Sequence, residues 1–227
     1  MDGVILAAGR GSRLQGLAAP FHKPLMLING EPLISRAIRQ ALNHCLHVVV
    51  VVAPENAMAI TGLTSSRRAV SYVIQPEPNG PRSALLAAMP AVRDGSVLIL
   101  MADNYNQDED IQACTNYPFA VGVSSVTPDI ATRFTVWNRA RHAYEEGVPI
   151  TKDHIDETGK CRVWVGPLIL DRDSINRTHG TLMDVERDRA EALIGPHIVH
   201  MVPSTSHEEL KHVTVQSMDI GIPEALQ

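Results

Sequence analysis

Several classes of protein are excluded by what this 227-residue chain does not have. It has no excess of positive charge: 20 Lys and Arg face 25 Asp and Glu, a net of −5 with His neutral. A nucleic-acid partner, which wants a basic footprint, is therefore not expected. It has only three cysteines, Cys45, Cys114 and Cys161, widely spaced and without a C-x-x-C pair. An odd count of that kind predicts buried thiols in a reducing compartment rather than a disulfide framework. The sequon Asn176-Arg177-Thr178 is then a chance match. No apolar run approaches the ~18 residues a spanning helix needs, so no membrane contact is expected. The chain opens directly on a strand-like run, without a charged leader or a cleavage site, and a cytoplasmic location is the expectation.

What is present is ordinary globular material, with 44% hydrophobic and 20% charged residues, enough for one α/β domain. Gly3–Ala7, His47–Ala53, Val70–Ile74, Val97–Met101 and Phe119–Ser125 read as apolar strands, the second carrying five consecutive valines. Between them, helices are expected from Pro32, over Glu55–Leu63, from about Ser83 to Val92, and from the Asp108-Glu109-Asp110 run. That run of carboxylates is explained by helix capping and dipole better than by metal binding. Asn29-Gly30 marks a tight hairpin turn. This β-α rhythm predicts a doubly wound, mainly parallel Rossmann-like sheet, with ligands at the carboxyl ends of its strands. After Thr127 the rhythm changes. Arg133–Trp137 and Val163–Leu170 read as strands around a polar middle, Thr181–Ile194 as a helix, His197–Val202 as a late strand, and Pro223 as the start of a final helix. His197 and His200 would face opposite sides of that late strand, so they are not read as a zinc pair.

The first strand runs into Ala8-Gly9-Arg10-Gly11-Ser12-Arg13, with Lys23-Pro24-Leu25 about ten residues on. Glycines let successive backbone N–H groups face one point, and Arg10, Arg13 and Lys23 add positive charge there, a pattern suited to a polyphosphate. A Walker loop would close on Gly-Lys-Ser/Thr, but Ser12-Arg13-Leu14 follows Gly11. A dinucleotide fingerprint needs a third glycine where Leu14 stands. The pattern Leu-Ala-Ala-Gly-x-Gly-x-Arg followed by Lys-Pro-Leu instead resembles the signature of the nucleotidyltransferase family of the sugar-1-phosphate nucleotidylyltransferases, the nucleoside-diphosphate-sugar pyrophosphorylases. Leu6–Leu14, Lys23–Leu25 and Asn29–Ile34 carry the likeness.

The resemblance implies a GT-A-like nucleotidyltransferase fold over residues 1–227. Residues 1–125 would form the nucleotide-binding half, 126–212 a small acceptor-binding lobe, and 213–227 a returning segment that completes a metal site. It implies a role for Leu6, Ala7, Ala8, Gly9, Arg10 and Gly11 in holding the triphosphate, with Arg13 and Lys23 on its phosphates. Asp103, following Leu98–Ala102, resembles the strand-end aspartate that holds Mg²⁺, and Asn104 beside it is expected to contact the substrate. The ending Met218-Asp219-Ile220-Gly221-Ile222-Pro223-Glu224 resembles the family's closing motif and makes Asp219 the second metal ligand. Gln75 and Gly80 correspond to positions near the base, although Pro81-Arg82-Ser83 replaces the usual small triplet. Lys152 and Gly166 fall where relatives contact the acceptor. His22 stands where relatives carry proline, which bears on the local backbone.

The activity implied is Mg²⁺-dependent coupling of a nucleoside triphosphate to a phosphorylated small molecule, a sugar 1-phosphate first, with release of pyrophosphate, as in sugar-nucleotide biosynthesis. The absence of hexapeptide repeats excludes the acyltransferase β-helix that some relatives add. Two other readings stay open: a glycosyltransferase using a nucleoside diphosphate-sugar, and a non-catalytic nucleotide-binding regulatory protein. The base, the acceptor and any homo-oligomer are not legible in the sequence.

Overall fold

The computed structural model describes residues 1–9, 22–64, 69–77, 80–145, 147–176 and 210–216, together with the backbone of 218–219. In chain order it contains β1 (Asp2–Ala7), a 3-10 turn (Lys23–Leu25), β2 (Leu27–Ile28), β3 (Glu31–Pro32), α1 (Leu33–Leu42), β4 (His47–Val52), α2 (Pro54–Thr64) and β5 (Val70–Ile74). There follow α3 (Gly80–Ala88), β6 (Ser96–Met101), β7 (Asn104–Tyr105), α4 (Asp108–Thr115) and β8 (Ala120–Val126). The second half adds α5 (Pro128–Ala131), β9 (Val136–Asn138), β10 (Ala143–Glu145), β11 (Cys161–Asp171), β12 (Lys211–Thr214) and β13 (Met218–Asp219).

A nine-stranded sheet runs β10-β9-β11-β6-β1-β4-β5, with β8 joined to β11 and β12 joined to β8. The pairs β1–β4, β1–β6, β4–β5 and β8–β12 are parallel. β11 is antiparallel to β6, β8 and β9, and so joins the parallel strands to the strands of the second half of the chain. Strand alternation explains why the central strands are apolar throughout. Val4, Leu6, Val49 and Val51 face a layer containing Ala84, Leu85 and Ala88 of α3. Ile5, Ala7, Val48, Val50 and Val52 face Ile34, Ala37, Ile38 and Ala41 of α1 and Ile111 of α4. A strand covered on both faces has no position left for a polar side chain.

The expected elements of the first half are present, but the helix expected from about Ser83 to Val92 is displaced at both ends: it stops at Ala88, where Met89–Ala91 tightens into a 3-10 turn around Pro90. α3 begins at Gly80, three residues before Ser83, because Gly80 at φ +85° turns the chain directly into the helix. Pro81 and Arg82 thus belong to its first turn, and Arg82 is buried. In the second half, the strand expected over Arg133–Trp137 lies at Val136–Asn138. Arg133 and Phe134 instead close the end of α5, donating their N–H groups to Ile130 and Ala131. Asn29 (φ 52°) and Gly30 (φ 80°) make the hairpin turn between β2 and β3. The helix expected over Thr181–Ile194, the strand at His197–Val202 and the final helix from Pro223 lie outside the described residues. Among the described residues no helix is long and apolar enough to cross a membrane.

At one place the sheet closes backbone on backbone. A Cβ built on Gly122 of β8 would lie 2.9 Å from Gly166 Cα and 2.9 Å from Pro167 Cδ. One built on Gly166 would lie 2.8 Å from Val215 Cγ2. Only two facing glycines permit this approach, at the point where the β8–β11 register shifts between Trp164 and Leu168.

Candidate active site

The carboxyl ends of β1, β5 and β6 carry Ala8-Gly9, Gln75 and Ala102-Asp103. Their ends are tied to one another. Ala102 donates its N–H to the Leu6 carbonyl at 3.0 Å, and Gln75 donates to that of Val52 at 2.9 Å. Asn56, fully buried at the start of α2, accepts from Ala53 N at 2.9 Å and donates from Nδ2 to the Ala7 carbonyl at 2.8 Å. This amide fixes the point where β1 ends, immediately before the glycine-rich stretch. The sequence reading did not single it out, although an asparagine in the first turn of a helix that follows an apolar strand was a usable signal. Gly9 is exposed, has open space where a Cβ would stand, and has no positive φ. Room for a neighbour, rather than an unusual backbone, is what glycine provides there. Arg10, Gly11 and Arg13 lie outside the described residues.

Lys23 opens the 3-10 turn, in which Leu25 donates to the His22 carbonyl at 2.8 Å and Met26 to that of Lys23 at 3.0 Å. His22 lies at φ −69°, ψ 117°, the backbone a proline would adopt. The departure from the family pattern at this position therefore leaves the chain's path unaltered. Lys23 is buried, 8% exposed, yet its ammonium reaches Asp103 Oδ2 at 3.3 Å across 80 residues of sequence. A buried ammonium needs a counter-charge, and the strand-end carboxylate supplies it. Lys23 and Asp103, assigned together from the sequence, are thus brought into contact.

The turn after Asp103 is heavily supported. Asn104 donates from Nδ2 to the Val165 carbonyl of β11 at 2.6 Å, so its amide is committed to holding β7 against β11. Arg36 and Gln40 of α1 both donate to the Asn106 carbonyl at 3.0 Å, and the Arg36 guanidinium lies 4.2 Å from the centre of the Tyr105 ring. β13 pairs antiparallel with β7, which sets Asp219 opposite Asn104, the neighbour of Asp103. Two aspartates 116 positions apart (219 − 103) are therefore brought to one turn by the backbone.

Gln75 is buried and donates from Nε2 to the Gly80 carbonyl at 3.2 Å, closing the loop before α3. Lys152 lies exposed on a 3-10 turn (Lys152–His154) packed on β9. The lack of a side chain at Gly166 is accounted for by the contact with Gly122 and Val215. The second lobe also has a charged cluster that the sequence reading missed. Glu145 Oε2 accepts from Asn138 Nδ2 at 3.1 Å and meets His154 Nε2 at 2.9 Å, and Arg141 donates to its Oε1 at 2.9 Å. Burial acts to raise the pKa of Glu145, but these three hydrogen bonds outweigh it and hold the group below the usual carboxylate range. Next to it a cavity of about 460 Å³ is lined by residues that include Trp137, Arg139, His142 and Arg162. None of its lining residues comes from the strand ends that carry Lys23 and Asp103.

A cysteine nucleophile does not fit this molecule. Cys45, Cys114 and Cys161 are all buried, and burial pushes the thiols of Cys45 and Cys114 up to about 12. Among the described residues no group of three or more His, Cys, Asp and Glu could hold a metal ion unaided. The donor set at the Asp103 turn is nevertheless suited to a hard cation. It offers carboxylate oxygen, and a positively charged group, the Lys23 ammonium, already stands on it.

Residues 3–117 match the family described as the MobA-like NTP transferase domain. The bifunctional protein GlmU of Methanococcus maripaludis is 30% identical over 126 residues, 56% of this chain and 30% of that protein. The glucose-1-phosphate thymidylyltransferase of Neisseria gonorrhoeae is 27% identical over 109 residues, 46% of this chain and 38% of that protein. These matches thus span about a third of the length of the curated relatives. In fold, the whole chain superposes on a Bacillus anthracis protein assigned as a glucose-1-phosphate thymidylyltransferase and solved with a sucrose. The TM-score is 0.77 at 20% identity, covering 92% of that chain. HddC from Yersinia pseudotuberculosis gives a TM-score of 0.65 at 18% identity, covering 99% of this chain and 96% of its own. With the glycine-rich stretch, the buried lysine and its aspartate all inside the matched segment, the chain belongs to the MobA-like NTP transferase domain family.

Proposed function

We propose that the protein is a nucleotidyltransferase joining a nucleoside triphosphate to a phosphorylated small molecule, a sugar 1-phosphate in the first instance, with release of pyrophosphate. The observation that carries this reading is the Lys23–Asp103 pair at 3.3 Å, which joins the 3-10 turn that follows the glycine-rich stretch in sequence to the carboxyl end of β6. Similarity to GlmU and to glucose-1-phosphate thymidylyltransferases supports the substrate class.

In this reaction an acceptor phosphate oxygen forms a new bond to the α-phosphorus. The bond from that phosphorus to the oxygen bridging to the β-phosphate breaks, and pyrophosphate leaves. The attacking oxygen is already anionic, so no general base is required of the protein. Its task is to bring two anions together and to receive charge on the leaving group. Backbone N–H groups of Ala8–Gly11 and the Arg13 side chain would hold the triphosphate. Lys23 would lie between the α-phosphate and the acceptor phosphate and reduce their repulsion. Asp103 and Asp219 would hold Mg²⁺, which when bound supplies positive charge to the phosphate oxygens. Gln75 and Gly80 would border the base, and Asn104 would keep the Asp103 turn in register. In the second lobe, Lys152 and the strand around Gly166 would serve the acceptor.

In the same reading residues 1–125 form the nucleotide half, 126–212 the acceptor lobe and 213–227 the segment that completes the metal site. Buried free thiols and the need for nucleoside triphosphates support a cytoplasmic location. The test is pyrophosphate release across the four common triphosphates and a panel of phosphorylated acceptors, with and without Mg²⁺. Release that depends on one acceptor and on Mg²⁺ is the expected result. Glycosyl transfer from a nucleoside diphosphate-sugar without pyrophosphate release would refute it.

A further inference from the structure

Three carboxylates begin α4, and two behave as residues at a helix N-terminus do. Glu109 is exposed, and the half-exposed Asp108 accepts from Gln40 Nε2 at 2.6 Å. Asp110 differs. It is buried, 7% exposed, and its two carboxylate oxygens accept the backbone N–H of Gln216 at 3.1 and 3.0 Å, across 106 positions. Capping its own helix would not require it to reach that far.

The location of Gln216 gives the contact its meaning. The preceding residue, Val215, donates to the Val123 carbonyl at 2.9 Å, continuing the β8–β12 ladder. At Gln216 the chain leaves that ladder, and its backbone N–H turns to a side-chain acceptor instead of a strand carbonyl. Asp110 provides a charged one, stronger than a carbonyl. Three positions on, Asp219 is paired with Asn104. Three residues of chain span at most about 10 Å, so fixing Gln216 limits how far the backbone of Asp219 can lie from it. Asn104 is itself fixed by Val165, and Asn106 by Arg36 and Gln40. The first aspartate's turn is thus held from α1 and β11, and the second aspartate's segment from α4.

We propose that Asp110 is a positioning residue for the metal site: its carboxylate anchors the returning segment so that Asp219 stands beside Asp103. The proposal rests on the reading above, in which Asp219 is the second ligand. Ligand-supporting contacts one layer out from a metal are commonly worth ten- to a hundredfold in metal affinity.

The readout is Mn²⁺ binding to the full chain in the presence of a nucleoside triphosphate, followed by electron paramagnetic resonance, with melting temperature as the check on folding. Asp110→Ala is expected to weaken Mn²⁺ binding about tenfold or more, while triphosphate binding in chelator stays unchanged. Gln216→Pro removes the donor and leaves Asp110 in place, and so guards against a variant of Asp110 that does not fold. It is expected to give a similar loss. The double variant should be little worse than either single one, since both break the same contact. Folded variants with wild-type Mn²⁺ affinity, or additive losses, overturn the positioning role. Asp219→Asn separates this failure from that of the underlying reading. If it leaves Mn²⁺ affinity unchanged, the two-aspartate site falls and the positioning role with it. If it weakens Mn²⁺ binding while both Asp110→Ala and Gln216→Pro do not, only the positioning role falls.

Discussion

Replacing Lys23 by methionine keeps the aliphatic stem in its buried place and removes only the ammonium. At 3.3 Å from Asp103 Oδ2, the direct attraction is about 5 kcal/mol at an effective permittivity near 20. Little of that is net stability. The Lys23 side chain is 9% exposed and that of Asp103 28%, so dehydration of the lysine and solvent screening at the aspartate offset most of it. About 1 kcal/mol is a reasonable remainder, a shift of roughly 2–4 °C in melting temperature for a domain of this size. The effect on turnover is larger. Loss of one preorganised charge where negative charge develops costs about a hundredfold or more, near 2.7 kcal/mol. Mn²⁺ affinity without nucleotide should move the opposite way and rise about fivefold, because the metal no longer displaces a cation from Asp103 and ~1 kcal/mol is about that factor. Pyrophosphate release under saturating substrates, calorimetric melting and Mn²⁺ titration together give three signs to compare. A folded Lys23→Met variant with wild-type pyrophosphate release refutes the reasoning, whatever its stability.

Three other outcomes are expected. Asp103→Asn and Asp219→Asn should each abolish Mg²⁺-dependent turnover, with the double variant little worse, as for residues that act as a unit; additive losses in initial rates would argue for separate roles. Gly122→Ala should lose about 2 kcal/mol or more in urea unfolding, because its Cβ would press on Gly166 and Pro167 backbone. Gly62→Ala on α2, with nothing within 4 Å, should gain about 0.5–1 kcal/mol. His212 is packed against Trp137 and Tyr144. Burial first, and then the Arg162 guanidinium, push its pKa down to about 4. The unfolded chain, with its histidine near 6.5, binds the extra proton between those values. Stability should therefore be full above about pH 6.5 and fall as pH drops toward 4. The urea midpoint of His212→Asn should fall less over that interval, and parallel curves for variant and wild type would count against it.

The parts of the fold legible in the sequence are those whose local pattern and tertiary environment agree. β1, β4 and β6 are continuous apolar runs because helices cover both faces, and α1 shows its buried stripe at Ile34, Ala37, Ile38 and Ala41. β7, β10 and β13 were not legible. They are two or three residues long, too short to show a periodic pattern, and exist because a partner strand is present. The candidate site divides in the same way. Lys23 and Asp103 could be named from their motifs, since each stands in a signature stretch. Their 3.3 Å contact could not be read from the sequence, nor could the contacts of Asn104 with Val165 and of Asp110 with Gln216, because such pairs are set by topology. Asp110 is the instructive case. Helix capping was a sufficient local reason for an aspartate there, and so nothing in the sequence pointed beyond it.

The pairing of β13 with β7 also has a kinetic meaning. β1 and β4 pair across 45 positions (47 − 2), whereas Asp219 meets Asn104 across 115 (219 − 104). Contacts closing longer loops form later and more slowly, because the chain entropy they restrict is not offset until they close. On refolding, the parallel sheet and its buried valines should therefore assemble first, giving helix signal and a protected core. The turn that gathers the two aspartates can close only after β12 has docked on β8. Recovery of metal affinity should thus lag behind recovery of structure, and a population caught in that interval would be compact and native-like in its parallel sheet while still weak in metal binding.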